Sequence, residues 1–165
     1  MLSSDRPKEP VSNTVPVQIR SATASDIPAI LAVEKDAPAA AHWSPQQYQT
    51  AVEGTEPPRA VLVLEDNGKV CAFLVARRFD RDAWEIENIA VATASQRRGL
   101  GTQLLHGFQE FARSNGARRI LLEARRSNAS ARALYEKSGF VEKGHRPRYY
   151  QSPQEDSVLY HIVLT

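Results

Sequence analysis

The sequence predicts a single α/β domain in which strands and helices alternate. Three observations predict it. Strand-like runs recur along the chain, among them Val15 to Arg20 and Trp84 to Ala92. Between them lie amphipathic runs such as Thr102 to Arg113, which sets Leu104, Leu105, Phe108, Phe111 and Ala112 on one face at a 3.6-residue period. A chain of 165 residues, 42% hydrophobic and 24% charged, has the composition of a globular protein and normally forms one core.

The elements follow in order. Residues 1–14 are rich in Pro, Ser, Lys and Glu without periodicity and are expected to form a disordered extension, leaving 15–165 as the domain. Val15 to Arg20 alternates as a strand. Thr23-Ala-Ser-Asp26 is a capping sequence for a helix to about Asp36. Ser44-Pro45-Gln46-Gln47 starts another, with Ser at the cap, Pro in the first turn and Gln three residues on. Ala60 to Glu65 and Lys69 to Arg77 flank the hairpin turn Asp66-Asn67-Gly68. Trp84 to Ala92 is the next strand, and the following helix ends at Asn115-Gly116. Arg119 to Arg125 is a strand. Ser127 is expected to cap a helix that runs to Lys137 and stops at Gly139. Phe140 to Lys143 and Val158 to Leu164 complete the sheet.

Composition excludes several classes. Cys71 is the only cysteine and lies in an apolar run, so no intrachain disulfide forms. The four histidines show no metal-ligand spacing, and no metal is expected. No apolar run reaches membrane-spanning length and the N-terminus lacks an apolar signal core, so a cytoplasmic protein without a membrane partner is expected. Residues 1–82 carry 9 basic and 11 acidic side chains, and residues 83–165 carry 12 and 8, so the net +2 charge divides as −2 and +4. That excess suits an anionic ligand, nucleic acid or simply a solvated surface.

The basic half holds Gln96-Arg97-Arg98-Gly99-Leu100-Gly101, between the strand-like and helix-like runs. Its two glycines permit a tight turn and leave no side chain above the first amides of the helix. Those amides have no internal partner and carry the positive end of the helix dipole, so they bind phosphate. Arg97 and Arg98 add charge and donors. A dinucleotide fingerprint needs a third glycine where Leu104 stands, and a nucleoside-triphosphate loop needs Gly-Lys-Ser/Thr, which is absent. Taken alone, the hexapeptide equally fits a plain helix start with turn glycines.

A second constellation is Leu122-Glu123-Ala124-Arg125-Arg126-Ser127-Asn128, followed by Tyr135 and by Ser138-Gly139-Phe140. Alternation puts Ile120, Leu122 and Ala124 on one face of the strand and Leu121, Glu123 and Arg125 on the other. Glu123, set between apolar residues, is then partly buried and suited to accept a proton. Asn128, Ala131 and Tyr135 share a helix face, so strand and helix converge on one cleft. The competing assignment pairs Glu123 with an arginine, makes Asn128 a local cap and leaves Tyr135 as a packing aromatic.

Together, Trp84 to Val91, Gln96 to Gly101, Leu122 to Tyr135 and Ser138 to Phe140 resemble the successive motifs of the GNAT N-acetyltransferases. From about Val17 onward the chain is similar to the bacterial ribosomal-protein-alanine N-acetyltransferases. The similarity includes His42-Trp43-Ser44 and Arg148-Tyr149-Tyr150 with Glu155-Asp156. The resemblance implies a GNAT-like domain, a mixed and mostly antiparallel sheet flanked by about four helices, with acetyl-CoA as co-substrate. It implies that Ile89, Ala90 and Val91 hold the acetyl-pantetheine arm. Gln96, Arg97, Arg98, Gly99, Leu100, Gly101 and Thr102 cradle the pyrophosphate, and Asn128 contacts the cofactor. A Glu at position 101 is then expected to set an anion where the pyrophosphate lies. The resemblance makes Glu123 the proton acceptor, Tyr135 the proton donor, and Trp43, Tyr149 and Tyr150 the acceptor-binding residues. The expected partner is the N-terminus of a ribosomal protein, with no direct nucleic-acid binding, and the expected state is a monomer or weak dimer. Two other classes remain open. One is a GNAT enzyme for a small-molecule amine or a lysine. The other is a non-catalytic module that binds acyl-CoA or docks on RNA. Pro147, the short loop after Tyr150 and the N-terminal extension depart from the family pattern, all on the acceptor side.

Overall fold

A computed structural model describes residues 16–165. The expected disorder of residues 1–14, and Val15 of the first strand, lie outside these. Strand β1 is Gln18–Ser21, and a short turn of 3-10 helix leads into helix α1, Ile27–Lys35. Helix α2 is Pro45–Glu53, followed by β2 Arg59–Asp66, β3 Lys69–Asp80 and β4 Ala83–Val91. Then come α3 Leu100–Ser114, β5 Arg119–Arg125, α4 Ala129–Lys137, β6 Val141–Tyr150 and β7 Glu155–Val163. The described strands form one sheet in the order β1-β2-β3-β4-β5-β7-β6. Every pairing is antiparallel except β4 with β5. No helix of the described residues is long and apolar enough to cross a membrane.

Local chemistry explains the boundaries. The Ser44 hydroxyl accepts from the Gln47 amide at 3.2 Å, and the Gln47 side chain accepts from the Ser44 amide at 2.8 Å, closing the capping box of α2. Asn67 and Gly68 have φ of 53° and 78°, the left-handed values a two-residue hairpin turn requires. The cap of α4 is Asn128 rather than Ser127. Its Oδ1 accepts from the Ala131 amide at 3.2 Å, because Asn128 stands three residues before that amide and Ser127 stands four.

β6 extends beyond Lys143 to Tyr150. Pro147, lacking an amide hydrogen, fits because β6 is an edge strand and its register shifts between Arg146 and Tyr150. The other departure is a bulge in β4. Ala76 opposes Ile86 and Val75 opposes Asn88, so Glu87 is an extra residue. Trp84 and Ile86 before it, and Ile89 and Val91 after it, pack toward the cluster centred on α3. Ala90 packs toward α1 and α2 on the opposite face. Strict alternation would have put these groups on the wrong sides.

Candidate active site

β4 and β5 pair only at Ala83–Arg119, Trp84–Ile120 and Glu85–Leu121. Beyond these pairs no ladder joins them, and two cavities occupy the splay. The first, about 540 Å³, is lined by Ile89, Ala90, Val91, Gln96, Arg97, Gly99, Leu100, Gly101, Thr102, Asn128, Leu134 and Tyr135. The second, about 520 Å³, is lined by Trp43, Glu85, Glu87, Glu123, Arg125, Tyr135, Tyr149 and Tyr150. Ile89 and Tyr135 belong to both, as do Pro38, Ala39 and Ala40 of the α1–α2 loop. The structure therefore brings every sequence-predicted site residue except Arg98 to one of two adjoining chambers.

The first chamber suits an anion at one end and an apolar arm at the other. Gly99 caps α3 with φ of 74°, and Arg97 is also left-handed at 63°. The first backbone bond into the helix runs from the Gln103 amide to the Gly99 carbonyl. The amides of Gly99 to Thr102 thus start the helix without helical partners, as a phosphate cradle requires. Ile89, Val91, Ala131 and Leu134 supply an apolar wall. These features fit the pyrophosphate and pantetheine of coenzyme A.

Two of these residues make contacts that the sequence did not suggest. Arg98 is not among the chamber's walls; its guanidinium pairs with Asp66 at 2.7 Å at the hairpin turn. Gly101 is closely packed: a Cβ there would lie 3.1 Å from Leu134 Cδ2 and 3.5 Å from Val91 Cγ2, both residues of the same chamber. A glutamate at 101 would therefore crowd the chamber's apolar wall as well as bring an anion to it. Gly101→Glu is expected to cost about 1–3 kcal/mol by overpacking. Urea unfolding measures this separately from any change in coenzyme A affinity.

In the second chamber Glu123 lies on the strand face opposite the buried Ile120, Leu122 and Ala124. Arg146 Nη2 lies 3.3 Å from its Oε1. Its Oε2 is buried without a hydrogen-bond partner among the described residues. The arginine pairing weighed from sequence is thus present, and it leaves one carboxylate oxygen uncommitted. The Arg146 guanidinium also stacks 5.4 Å from the Tyr149 ring, and Arg125 stacks 4.3 Å from Tyr150. Burial, and then the Glu123 charge, push the Tyr150 hydroxyl up to about 12. Tyr135, only 7% exposed, packs edge-on against Phe140 and Tyr160 at 6.2 and 5.9 Å. Burial, followed by the neighbouring Tyr150 and Tyr160, holds its hydroxyl well above the ordinary tyrosine value, so it stays protonated.

Sequence reasoning missed the roof. Asn88, 3% exposed, donates from Nδ2 to the Ala41 carbonyl at 2.8 Å and to Tyr48 Oη at 3.0 Å. Its Oδ1 accepts from the Ala41 amide at 3.1 Å. Tyr48 in turn donates to Glu34 Oε2, which also accepts from the Trp43 amide at 3.3 Å. The one sequence signal was Glu87-Asn88, two polar residues in succession that break the alternation of β4.

Residues 26–140 match the model of the acetyltransferase (GNAT) family. The chain belongs to that family and is an acetyl-CoA-dependent N-acetyltransferase. Over 149 residues it is 34% identical to the [ribosomal protein bS18]-alanine N-acetyltransferase of Escherichia coli K12, covering 89% of this chain and 97% of that one. The crystal structure of the Escherichia coli ribosomal-protein-S18-alanine N-acetyltransferase superposes with a TM-score of 0.77 at 32% identity, covering 91% and 95%. The yncA structure from Salmonella typhimurium, with its cofactor acetyl-CoA, shares the fold at a TM-score of 0.77 and 24% identity, covering 90% and 94%.

Proposed function

We propose that this enzyme acetylates the α-amine of a protein N-terminus that begins with alanine, in a small-subunit ribosomal protein, in the cytoplasm. The observation that carries the reading is the meeting of the two chambers at Tyr135, with Glu123 on the acceptor side. The substrate named for the Escherichia coli relative, an alanine of ribosomal protein bS18, supports it.

In this reading the amides of Gly99 to Thr102 and the Arg97 side chain hold the pyrophosphate, and Asn128 borders it. The β4 backbone at Ile89, Ala90 and Val91 aligns the pantetheine arm. Bound acetyl-CoA supplies the acetyl thioester. The acceptor enters between Trp43, Tyr149 and Tyr150. An α-amine has a pKa near 7.7–8.0 and must lose a proton to become a nucleophile. Glu123 takes that proton, and Tyr135 donates one to the departing sulfur. Holding amine and thioester side by side supplies a large part of the acceleration.

The α-amine is about 2.5 units less basic than a lysine amine, which favours an N-terminus near neutral pH. Paired peptides test the acceptor: one with a free N-terminal alanine, one N-terminally blocked with an internal lysine. Mass spectrometry is expected to show acetyl transfer to the first. One added methylene at the first side chain should lower kcat/KM roughly 10–200-fold. Acetylation confined to the lysine of the blocked peptide would refute the N-terminal reading while leaving the acetyltransferase assignment intact.

A further inference from the structure

We infer that Asn88 is a positioning residue for the acceptor: with Tyr48 and Glu34 it locks the segment Ala41 to Trp43 against β4 and so sets one wall of the acceptor chamber. The inference rests on that chamber being the acceptor site.

Ala41, His42 and Trp43 belong to no helix or strand, and all three line the acceptor chamber. The run before them, Pro38-Ala39-Ala40, has no side chain long enough to anchor itself. The segment is held instead from β4 and from α1. Asn88 clasps both backbone groups of Ala41, and Glu34 holds the Trp43 amide and lies 3.8 Å from His42 Nδ1. The chain of donors has one direction. Rotating the Asn88 amide by half a turn would set its NH2 against the Ala41 amide and its oxygen against the Ala41 carbonyl. The oxygen of the buried Asn88 amide has its partner only when the segment sits where it does, and an unpaired buried polar group is costly. Asn88 occupies this place because of the Glu87 bulge, which turns its side chain toward α1 and α2 while Ile89 beside it faces the reacting groups. One strand therefore carries the thioester-side wall and, one residue away, the clasp on the acceptor-side wall.

Two variants test this. Asn88→Asp keeps the shape but loses both donated bonds and sets a carboxylate oxygen against the Ala41 carbonyl. Tyr48→Phe removes one oxygen and leaves the clasp on Ala41 in place. Acceptor KM and kcat are measured with the alanine-led peptide, coenzyme A affinity by calorimetry, and amide exchange at Ala41 and Trp43 by NMR. Asn88→Asp is expected to raise acceptor KM roughly 10–100-fold, the scale of the two hydrogen bonds that it removes from the clasp. Coenzyme A affinity should be largely retained and both amides should exchange faster. Tyr48→Phe should give a smaller rise in the same direction, and it carries the test alone if Asn88→Asp does not fold. A folded variant with wild-type acceptor KM, or with a lowered kcat at unchanged KM, overturns the inference. If the wild type does not acetylate the peptide, the acceptor assignment fails instead, and the variants are compared on whichever amine it does accept.

Discussion

Tyr135→Phe is expected to yield a folded protein whose kcat falls roughly 10²–10⁴-fold, the loss typical of a missing general acid. The ring is held by Phe140 and Tyr160 and is almost fully buried, so removing one oxygen leaves the packing intact. The hydroxyl has no hydrogen-bonded partner among the described residues, so its loss strands no buried group. Circular dichroism and thermal unfolding should match the wild type, as should coenzyme A affinity. Burial keeps the hydroxyl protonated throughout the neutral range, so the deficit should not change with pH. A wild-type kcat would assign sulfur protonation to water and leave Tyr135 as a packing aromatic.

The second large effect is at Glu123, and there pH matters. Glu123→Gln should lower kcat/KM by roughly 10²-fold or more at neutral pH. Below the amine's pKa of about 7.7–8.0, the fraction of acceptor that is already unprotonated falls about tenfold per pH unit. The wild type can bind the ammonium form and remove its proton, whereas the variant must wait for free amine. The gap should therefore widen from about pH 8 toward pH 6 and narrow above pH 8. A gap of constant size would mean that Glu123 orients the acceptor without taking its proton. Arg146 is then released from its 3.3 Å contact, so Glu123→Gln with Arg146→Gln separates loss of the base from loss of the ion pair.

Much of the framework was legible because it is local. Ser44, Pro45 and Gln47 announce α2 through backbone groups within one turn, and Asn67-Gly68 announces its hairpin through the only φ values that close it. The convergence of Glu123 and Tyr135 followed from two periodicities. What escaped was set by contacts distant in sequence. The Glu87 bulge depends on β3 across the ladder and inverts the faces of Asn88 and Ala90 relative to simple alternation. The outer half of β6 looked unlike a strand because of Pro147, which only an edge tolerates. The pairing of Arg98 with Asp66, from the β2–β3 turn, is likewise a contact that neighbouring residues do not announce. Of the α1–α2 segment only His42 and Trp43 were legible, because the alanines before them carry no signal of their own and their anchor lies 47 residues away at Asn88.

The three-pair ladder between β4 and β5 has a consequence for traffic. Because the strands part, the sheet is a partition with a slot in it, and Ile89 and Tyr135 line both of its sides. Gly99 to Thr102 border one chamber only, and Trp43, Tyr149 and Tyr150 the other only. Under the proposed function, coenzyme A and acceptor would then meet across the slot from opposite sides, and the tip of a long polypeptide could be modified without its remainder passing the coenzyme.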